Sequence, residues 1–337
     1  MDDFSFGKNL VKETSDARTY ENTTPAEAAE LTVRLKREIR KAFVGGDRTL
    51  NLLLAGVFGG LHVLIEDIPG VGKTTLARSL SLSAGLDFGR VQFTPDLLPG
   101  DITGVTVWSQ ESRTFVFRAG AIMHQFILAD EVNRASSRTQ AALLEAMQER
   151  AVTVDGTTYP LPEPFMVVAT QNPVSFTGTF ALPEAQIDRF GITLSLGYPT
   201  EADEIGILDR FQEETQFEGI EAVCDGSRIG SIRRTVRSLR VDEKVKRFLI
   251  SVAERTRHHP LLKLGMSPRA TQHLMRGCQA HAILEGRSYA IPEDVIEMVE
   301  PCLGHRLVPT AEARMENRGV SDILGEIMGR VEKPAGY

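Results

Sequence analysis

The spacing of apolar residues changes twice along the chain, and the changes divide it into three stretches. Residues 1–23 are polar without a sustained period and are expected to form a mobile leader. A helical rhythm begins at Thr24-Pro25-Ala26-Glu27, which supplies an N-cap, a proline at the first helical position and a capping-box glutamate. The helix it opens, Ala28 to Ala42, is stopped by Val44-Gly45-Gly46. Leu50 to Ile65 is the most apolar segment, but it is too short for a membrane span and is interrupted by Asn51, Gly59, Gly60 and His62. It divides into a helix, a Gly-Gly turn and a buried strand. Short apolar runs then recur between helical segments: Val63 to Ile65, Val91 to Phe93, Phe126 to Ala129, Phe165 to Ala169 and Ile192 to Leu196, the first, third and fourth of them unbroken. Runs without alternation suit strands covered on both faces, so the pattern predicts an α/β fold with a parallel five-stranded sheet.

Two alternating stretches break this rhythm. Val152-Thr153-Val154 and Thr157-Thr158-Tyr159 flank Asp155-Gly156, a pair suited to a two-residue turn with positive φ, and so predict a hairpin. Val105 to Trp108 pairs in the same way with Thr114 to Phe117. After Tyr198-Pro199-Thr200 strand runs cease. Helical periods follow over Glu201 to Phe211, Ser227 to Leu239, Asp242 to Thr256, Ser267 to Leu284, Pro292 to Leu303 and Val320 to Val331. The ordered chain therefore reads as an α/β core over 24–199 and a helical domain over 200–337. A length of 337 residues, 42% of them hydrophobic, is enough for both.

Candidate chemistry lies at the turns between strands and helices. Ile68-Pro69-Gly70-Val71-Gly72-Lys73-Thr74-Thr75 follows an apolar strand and opens a helix. Glycines let backbone N–H groups close on a polyphosphate, and the helix dipole favours the negative charge. Lys73 is then placed for the outer phosphates and the Thr74 hydroxyl for a bridging magnesium ion (Mg2+). The pattern wants glycine where Asp67 stands, so the match runs from Pro69 onward. Phe126 to Ala129 ends in Asp130 and Glu131, which suits a metal ligand and a base for the attacking water; two solvated acids are the plainer alternative. Phe165 to Ala169 ends in Thr170-Gln171-Asn172-Pro173, whose amide could contact a γ-phosphate or serve as a turn residue. Arg269, behind the Ser267 cap and Pro268, opposes its helix dipole and calls for an anion. Arg189 ends a short helix, where spacing cannot separate a catalytic arginine from a capping one.

Six blocks in fixed order carry a more specific signal: His62 to Ala77, Leu128 to Ala135, Thr139 to Glu149, Ala169 to Pro173, Gly178 to Phe190 and Gly265 to Ala270. From about Glu30 onward the chain resembles the AAA+ ATPases, and within them the MoxR family, in which the Glu-Asp before the loop also looks usual. The resemblance implies an AAA+ P-loop core with an all-helical lid, ATP as substrate and Mg2+ as cofactor. It assigns Pro69, Gly70, Val71, Gly72, Lys73, Thr74 and Thr75 to the nucleotide, with Thr74 and Asp130 on the metal. It further implies Asp130 and Glu131 as the Walker B pair, Asn172 as sensor one, Arg269 as sensor two, and Val44 and Gly45 as the adenine-side turn. Arg189 becomes an arginine finger acting on a neighbouring subunit's ATP, which requires a homo-oligomer, a hexameric ring in this family. The hairpins correspond to inserts that point toward a central pore. The implied role is chaperone-like remodelling or maturation of protein clients, often beside partners bearing a von Willebrand factor A domain.

Net charge narrows the alternatives. A formal charge of −7 and a pI near 5.6 argue against a duplex-DNA binder, so nucleic acid is not an expected partner of what would otherwise be a DNA-stimulated motor. A slow nucleotide-gated scaffold would keep the same residues and is separated only by a measured rate. A small-molecule phosphotransferase gives no purpose to the helical domain. Cys224, Cys278 and Cys302 form no CxxC pair, and the N-terminus lacks the pattern of a signal peptide, so a cytoplasmic protein with reduced thiols and no membrane span is expected.

Overall fold

The computed structural model describes residues 22–172, 180–213 and 217–334. Residues 1–21 of the expected leader lie outside the described residues. Thr23, within them, is buried, and its backbone N–H and hydroxyl both donate to Ser231 Oγ, at 3.1 and 2.9 Å.

Five strands form one parallel sheet: β1 (Val63–Glu66), β2 (Phe88–Gln92), β3 (Phe126–Asp130), β4 (Met166–Gln171) and β5 (Ile192–Leu194), in the spatial order β2-β3-β4-β1-β5. The chain runs from central β1 out to the edge at β2, then works back inward. Such a reversal opens a crevice beyond the C-terminal strand ends, where ligands of open α/β sheets bind. Every residue of β3 is buried, as its unbroken apolar run predicts. The edge strand β2 differs from expectation, since it begins at Phe88 and alternates buried with exposed positions. A half-wet edge strand needs no continuous apolar run, which is why only its end was visible in the pattern.

Alternation along each strand feeds two cores. Val63 and Ile65 of β1 face one, together with Leu35, Leu53 and Phe58 from helices; Leu64 faces the other, with Ile127, Ala129, Leu143 and Met147. Helix α1 (Pro25–Ile39) has the expected capping box, Glu27 N–H to Thr24 Oγ1 at 3.3 Å and Thr24 N–H to Glu27 Oε2 at 2.8 Å. Helix α2 (Asp47–Gly59) ends at Gly60, whose φ of 65° makes the left-handed turn into β1. Helices α3 (Lys73–Ser83) and α4 (Ser137–Glu149) complete the layers around the sheet.

The hairpins pair Gly104–Ser109 with Thr114–Ala119, and Ala151–Val154 with Thr157–Pro160. Asp155 and Gly156 have φ of 48° and 79°, the two positive values that their sequence predicts. Phe117 of the first hairpin stacks on Tyr159 of the second, ring centroids 3.8 Å apart, so the two form one unit.

The C-terminal part contains α5 (Glu201–Glu213), α6 (Gly226–Ser238), α7 (Glu243–Arg257), α8 (Pro268–Leu284), α9 (Pro292–Leu303) and α10 (Val320–Arg330). It is helical but not purely so, because Leu262–Leu264 pairs antiparallel with Val308–Pro309. Strands this short carry no readable period. The lid docks firmly on the core: α8 packs along α2, and one hydrophobic cluster runs from Leu35 and Phe58 to Leu274 and Met298. Buried Arg233 of α6 adds bonds to Val57 O (2.8 Å) and Phe165 O (3.2 Å), satisfying a guanidinium that burial otherwise disfavours. Among the described residues no helix is long and apolar enough to cross a membrane.

Candidate nucleotide site at the strand tips

The chain leaves β1 at Glu66, makes a loop and enters α3 at Lys73. Gly70 and Gly72 hold φ of 87° and 91°, left-handed values that a Cβ would strain. Gly72 is the N-cap of α3 and provides no side-chain cap, so the positive end of the helix dipole is presented directly to a cavity of about 190 Å³. Pro69, Gly70, Gly72, Lys73, Thr74 and Thr75 form one wall of that cavity; Asp130, Glu131 and Asn172 form the other. Lys73 Nζ donates to Asp67 O at 2.6 Å. Partial burial pulls its pKa down against the opposing pull of Asp67, Asp130 and Glu131.

The acids are held by neighbours that the sequence pattern did not single out. Thr170 of β4 donates its hydroxyl to Asp130 Oδ1 (2.6 Å) and accepts the Glu131 N–H (2.9 Å), locking the tip of β3 to the tip of β4. Arg90 of β2 donates to Asp130 Oδ2 at 2.7 Å. Gln92 Nε2 and Arg134 Nη1 both donate to Glu131 Oε2 at 3.0 Å. Glu131 itself has φ 56°, an uncommon value for a residue with a side chain and one that clusters at functional sites. Asn133 Nδ2 donates to Asn172 O at 3.2 Å, tying the turn after β3 to the end of β4. A hydroxyl and a carboxylate, Thr74 and Asp130, meet in one cavity, which is the hard oxygen donor set that Mg2+ takes. Arg90 is half exposed, so its hold on Asp130 can yield to a cation.

A second cleft of about 760 Å³ opens beside the first and shares Gly70, Gly72 and Thr75 with it. Val44 and Gly45 lie on its core side, Val71 lies along the loop, and Tyr198, Ile207 and Phe211 approach from the lid side. Apolar walls next to a polar cradle match a base and its phosphates. Arg189 and Arg269 line neither cavity. Arg189 Nε donates to Gln148 Oε1 at 3.2 Å, and Arg269 Nη1 stands 3.9 Å from Asp188 Oδ2.

Asp67, which departs from the glycine of the loop pattern, has a structural use. Its Oδ2 accepts from Ser195 Oγ (3.0 Å), Leu196 N–H (2.6 Å) and Gly197 N–H (2.8 Å), and its Oδ1 accepts from Ile68 N–H (2.9 Å). The carboxylate thus ties the phosphate loop to the segment that leads into the lid. Burial pushes its pKa up, but the bonds from Gly197, Leu196, Ser195 and Ile68 prevail and hold it below the usual carboxylate range. A carboxyl lowered in this way stabilises the fold above its unfolded pKa of about 3.9, and that contribution is lost as pH falls through the folded value. Asp67→Asn is expected to lose about 2 kcal/mol at pH 7, since charge-assisted bonds become neutral ones. Thermal unfolding of both proteins across pH checks this: the gap in Tm narrows as pH falls below about 4.

Comparison with known proteins agrees with this geometry. The sequence profile of the "ATPase family associated with various cellular activities (AAA)" matches residues 62–192, and that of the "AAA lid domain" matches residues 254–327. Protein YeaC of Bacillus subtilis is 44% identical over 88% of this chain and 92% of its own length. Chaperone MoxR1 of Mycobacterium tuberculosis is 36% identical over 88% of this chain and 81% of its own. The chain belongs to the MoxR family of AAA+ ATPases. A crystal structure from Cytophaga hutchinsonii, 34% identical, overlays with a TM-score of 0.86 and covers 92% of this chain and 97% of that one. In this MoxR-type chain the AAA match spans all of β1 to β4, with the loop, the two acids and Asn172 inside it. The lid match reaches from the end of α7 into α10 and includes Arg269.

Proposed function

We propose that this MoxR-type protein hydrolyses ATP at the strand tips and uses the turnover to remodel or mature protein clients, as a cytoplasmic, chaperone-like hexameric ring. The observation that carries this reading is the convergence of Lys73, Asp130 and Glu131 on one cavity, beside a cleft large enough for the nucleoside. The loop from Pro69 to Thr75 cradles the phosphates, Lys73 neutralises their charge, and Val44 and Gly45 border the base. Thr74 and Asp130 hold Mg2+, which when bound supplies further charge neutralisation. Glu131 takes the proton of the attacking water after exchanging its Gln92 and Arg134 donors for that water. Asn172 orients the γ-phosphate, Arg269 reaches it only when the lid moves it away from Asp188, and Arg189 is offered to the next subunit.

The client role draws support from the name of the relative Chaperone MoxR1 and from the first hairpin. There Trp108 and Phe115 stand 54% and 70% exposed, packed edge to face at 5.1 Å. An exposed aromatic pair on a hairpin suits contact with unfolded polypeptide. A von Willebrand factor A domain protein is the partner class to test by co-purification.

Phosphate release from ATP, measured with Mg2+ and again with excess EDTA, tests the enzymatic part; equal rates in both would overturn it. Lys73→Ala is expected to raise the Kd for a fluorescent ATP analogue by 100-fold or more, about 2.7 kcal/mol, because a partly desolvated cation facing phosphate is lost. Unchanged affinity by titration would remove Lys73 from the site.

A further inference from the structure

Arg189 stands in a segment that cannot hold itself in place. The helix before it, Glu184–Ile187, has four residues, far below the length at which helices persist without tertiary support. Phe190, after Arg189, is anchored in the core, and the rest of the support comes from the lid. Arg306, whose side chain is 3% exposed, sends Nη2 to Asp188 O at 3.0 Å and to Phe190 O at 2.5 Å, the carbonyls on either side of Arg189. Its Nε lies 3.1 Å from Asp188 Oδ1, an ion-pair approach without hydrogen-bond alignment. His305 adds a bond from Nε2 to Phe190 O at 3.0 Å. Ser267 Oγ, the cap of α8, donates to Asp188 Oδ1 at 3.1 Å, and Arg269 two residues later approaches the other oxygen.

A guanidinium resists burial unless its donors are satisfied. Here Nη1 serves the lid itself, through Cys302 O at 2.8 Å, while Nη2 and Nε are directed at the backbone and carboxylate around Arg189. His273 Nδ1, 2.5 Å from Nη2, accepts from it because burial, with Arg306 beside it, keeps that ring neutral, its pKa near 3.

We propose that Arg306 is a positioning residue: it holds the backbone on either side of Arg189 and so aims the arginine that this subunit offers its neighbour. The proposal rests on the reading of Arg189 as an arginine finger acting in trans. Misplacing a reacting group by about 1 Å can lower a rate 100-fold, so Arg306→Gln is expected to lose roughly 10- to 100-fold in kcat. Its affinity for the fluorescent nucleotide changes less than about twofold, since its own cleft is intact.

The deciding experiment mixes subunits. Arg306→Gln protein is co-expressed with an excess of Glu131→Gln protein, which keeps a well-held Arg189 but lacks the base, and rings carrying both affinity tags are isolated. Turnover per Arg306→Gln subunit is expected to rise at least fivefold, because its intact site now faces a well-aimed arginine. A purely structural role for Arg306 in its own subunit predicts no rise, and that result overturns the proposal. Arg189→Ala in the same mixture separates the two layers: rescue of Arg189→Ala without rescue of Arg306→Gln defeats the proposal alone, whereas normal turnover of Arg189→Ala by itself defeats the finger reading beneath it. Should Arg306→Gln fail to fold by circular dichroism, Arg306→Lys and Asp188→Asn, which keep most of the packing, go through the same mixture with the same two outcomes.

Discussion

Glu131→Gln is expected to bind ATP as tightly as the parent protein and to release phosphate at about 1% of its rate or less, since a positioned general base contributes roughly 10² to 10⁴. The substitution is close to isosteric. The backbone contacts of position 131 survive, because its N–H bonds to the Thr170 hydroxyl and its φ of 56° is as accessible to Gln as to Glu. The amide oxygen can still accept from Gln92 or Arg134, both of which reach the same carboxylate oxygen at 3.0 Å. What disappears is the capacity to take a proton. Exposed pairs such as Arg134–Glu131 contribute about 0–1 kcal/mol, so the thermal midpoint should hardly move. A fluorescent-nucleotide titration and a steady-state phosphate assay on one preparation check both halves. Undiminished hydrolysis would remove Glu131 from the chemistry, and loss of binding would make its role structural.

The parts of the fold legible in the sequence are those in which each local signal serves one environment. β3 is buried along its whole length, and its residues are apolar without alternation. The second hairpin turns on Asp155-Gly156, which the required pair of positive φ values selects. The capping box of α1 and the Ser267 cap of α8 are likewise local devices, formed by residues three apart. Strand order was not legible, because it depends on which crossovers bury the helices, and no window of the sequence carries that. The ribbon between Leu262–Leu264 and Val308–Pro309 carries no local signal for the same reason, being a non-local pairing of very short segments.

The candidate site divides along the same line. Lys73, Thr74, Asp130, Glu131 and Asn172 stand at strand and helix ends where residue type alone suggests chemistry, and the fold brings them to one cavity. Arg90, Gln92 and Thr170 are the partners of the acids, yet in sequence they are polar residues of unremarkable strands. The alternation of β2, with Arg90 and Gln92 both on its exposed face and two residues apart, was the available clue. Asp67 looked like a defect of the loop because its partners, Ser195 to Gly197, lie some 130 positions away. Arg306 was invisible in principle: a charged residue reads as solvent-facing until the carbonyls that satisfy it are known.

Arg189→Ala is expected to lower kcat by about 10³ to 10⁵, the range an arginine finger contributes in nucleotide hydrolases, while leaving nucleotide affinity within roughly twofold. The argument starts from where the side chain is not: it lines neither cavity of its own subunit, and its Nε is bonded to Gln148 on an exposed face of α4. A role in its own subunit's chemistry has no geometric basis, whereas a role in a neighbour's site fits a half-buried side chain held at the surface by an exposed bond. Loss of the Gln148 bond affects an exposed contact, so Tm should fall by no more than the equivalent of about 1 kcal/mol. The decisive readout is concentration. If the site is completed by a second subunit, turnover per chain in the parent protein rises with protein concentration across the assembly midpoint found by analytical ultracentrifugation, and Arg189→Ala assembles at the same midpoint without that rise. Turnover per chain that is constant through the dissociation range would place the whole hydrolytic site in one subunit and return Arg189 to the role of a capping cation.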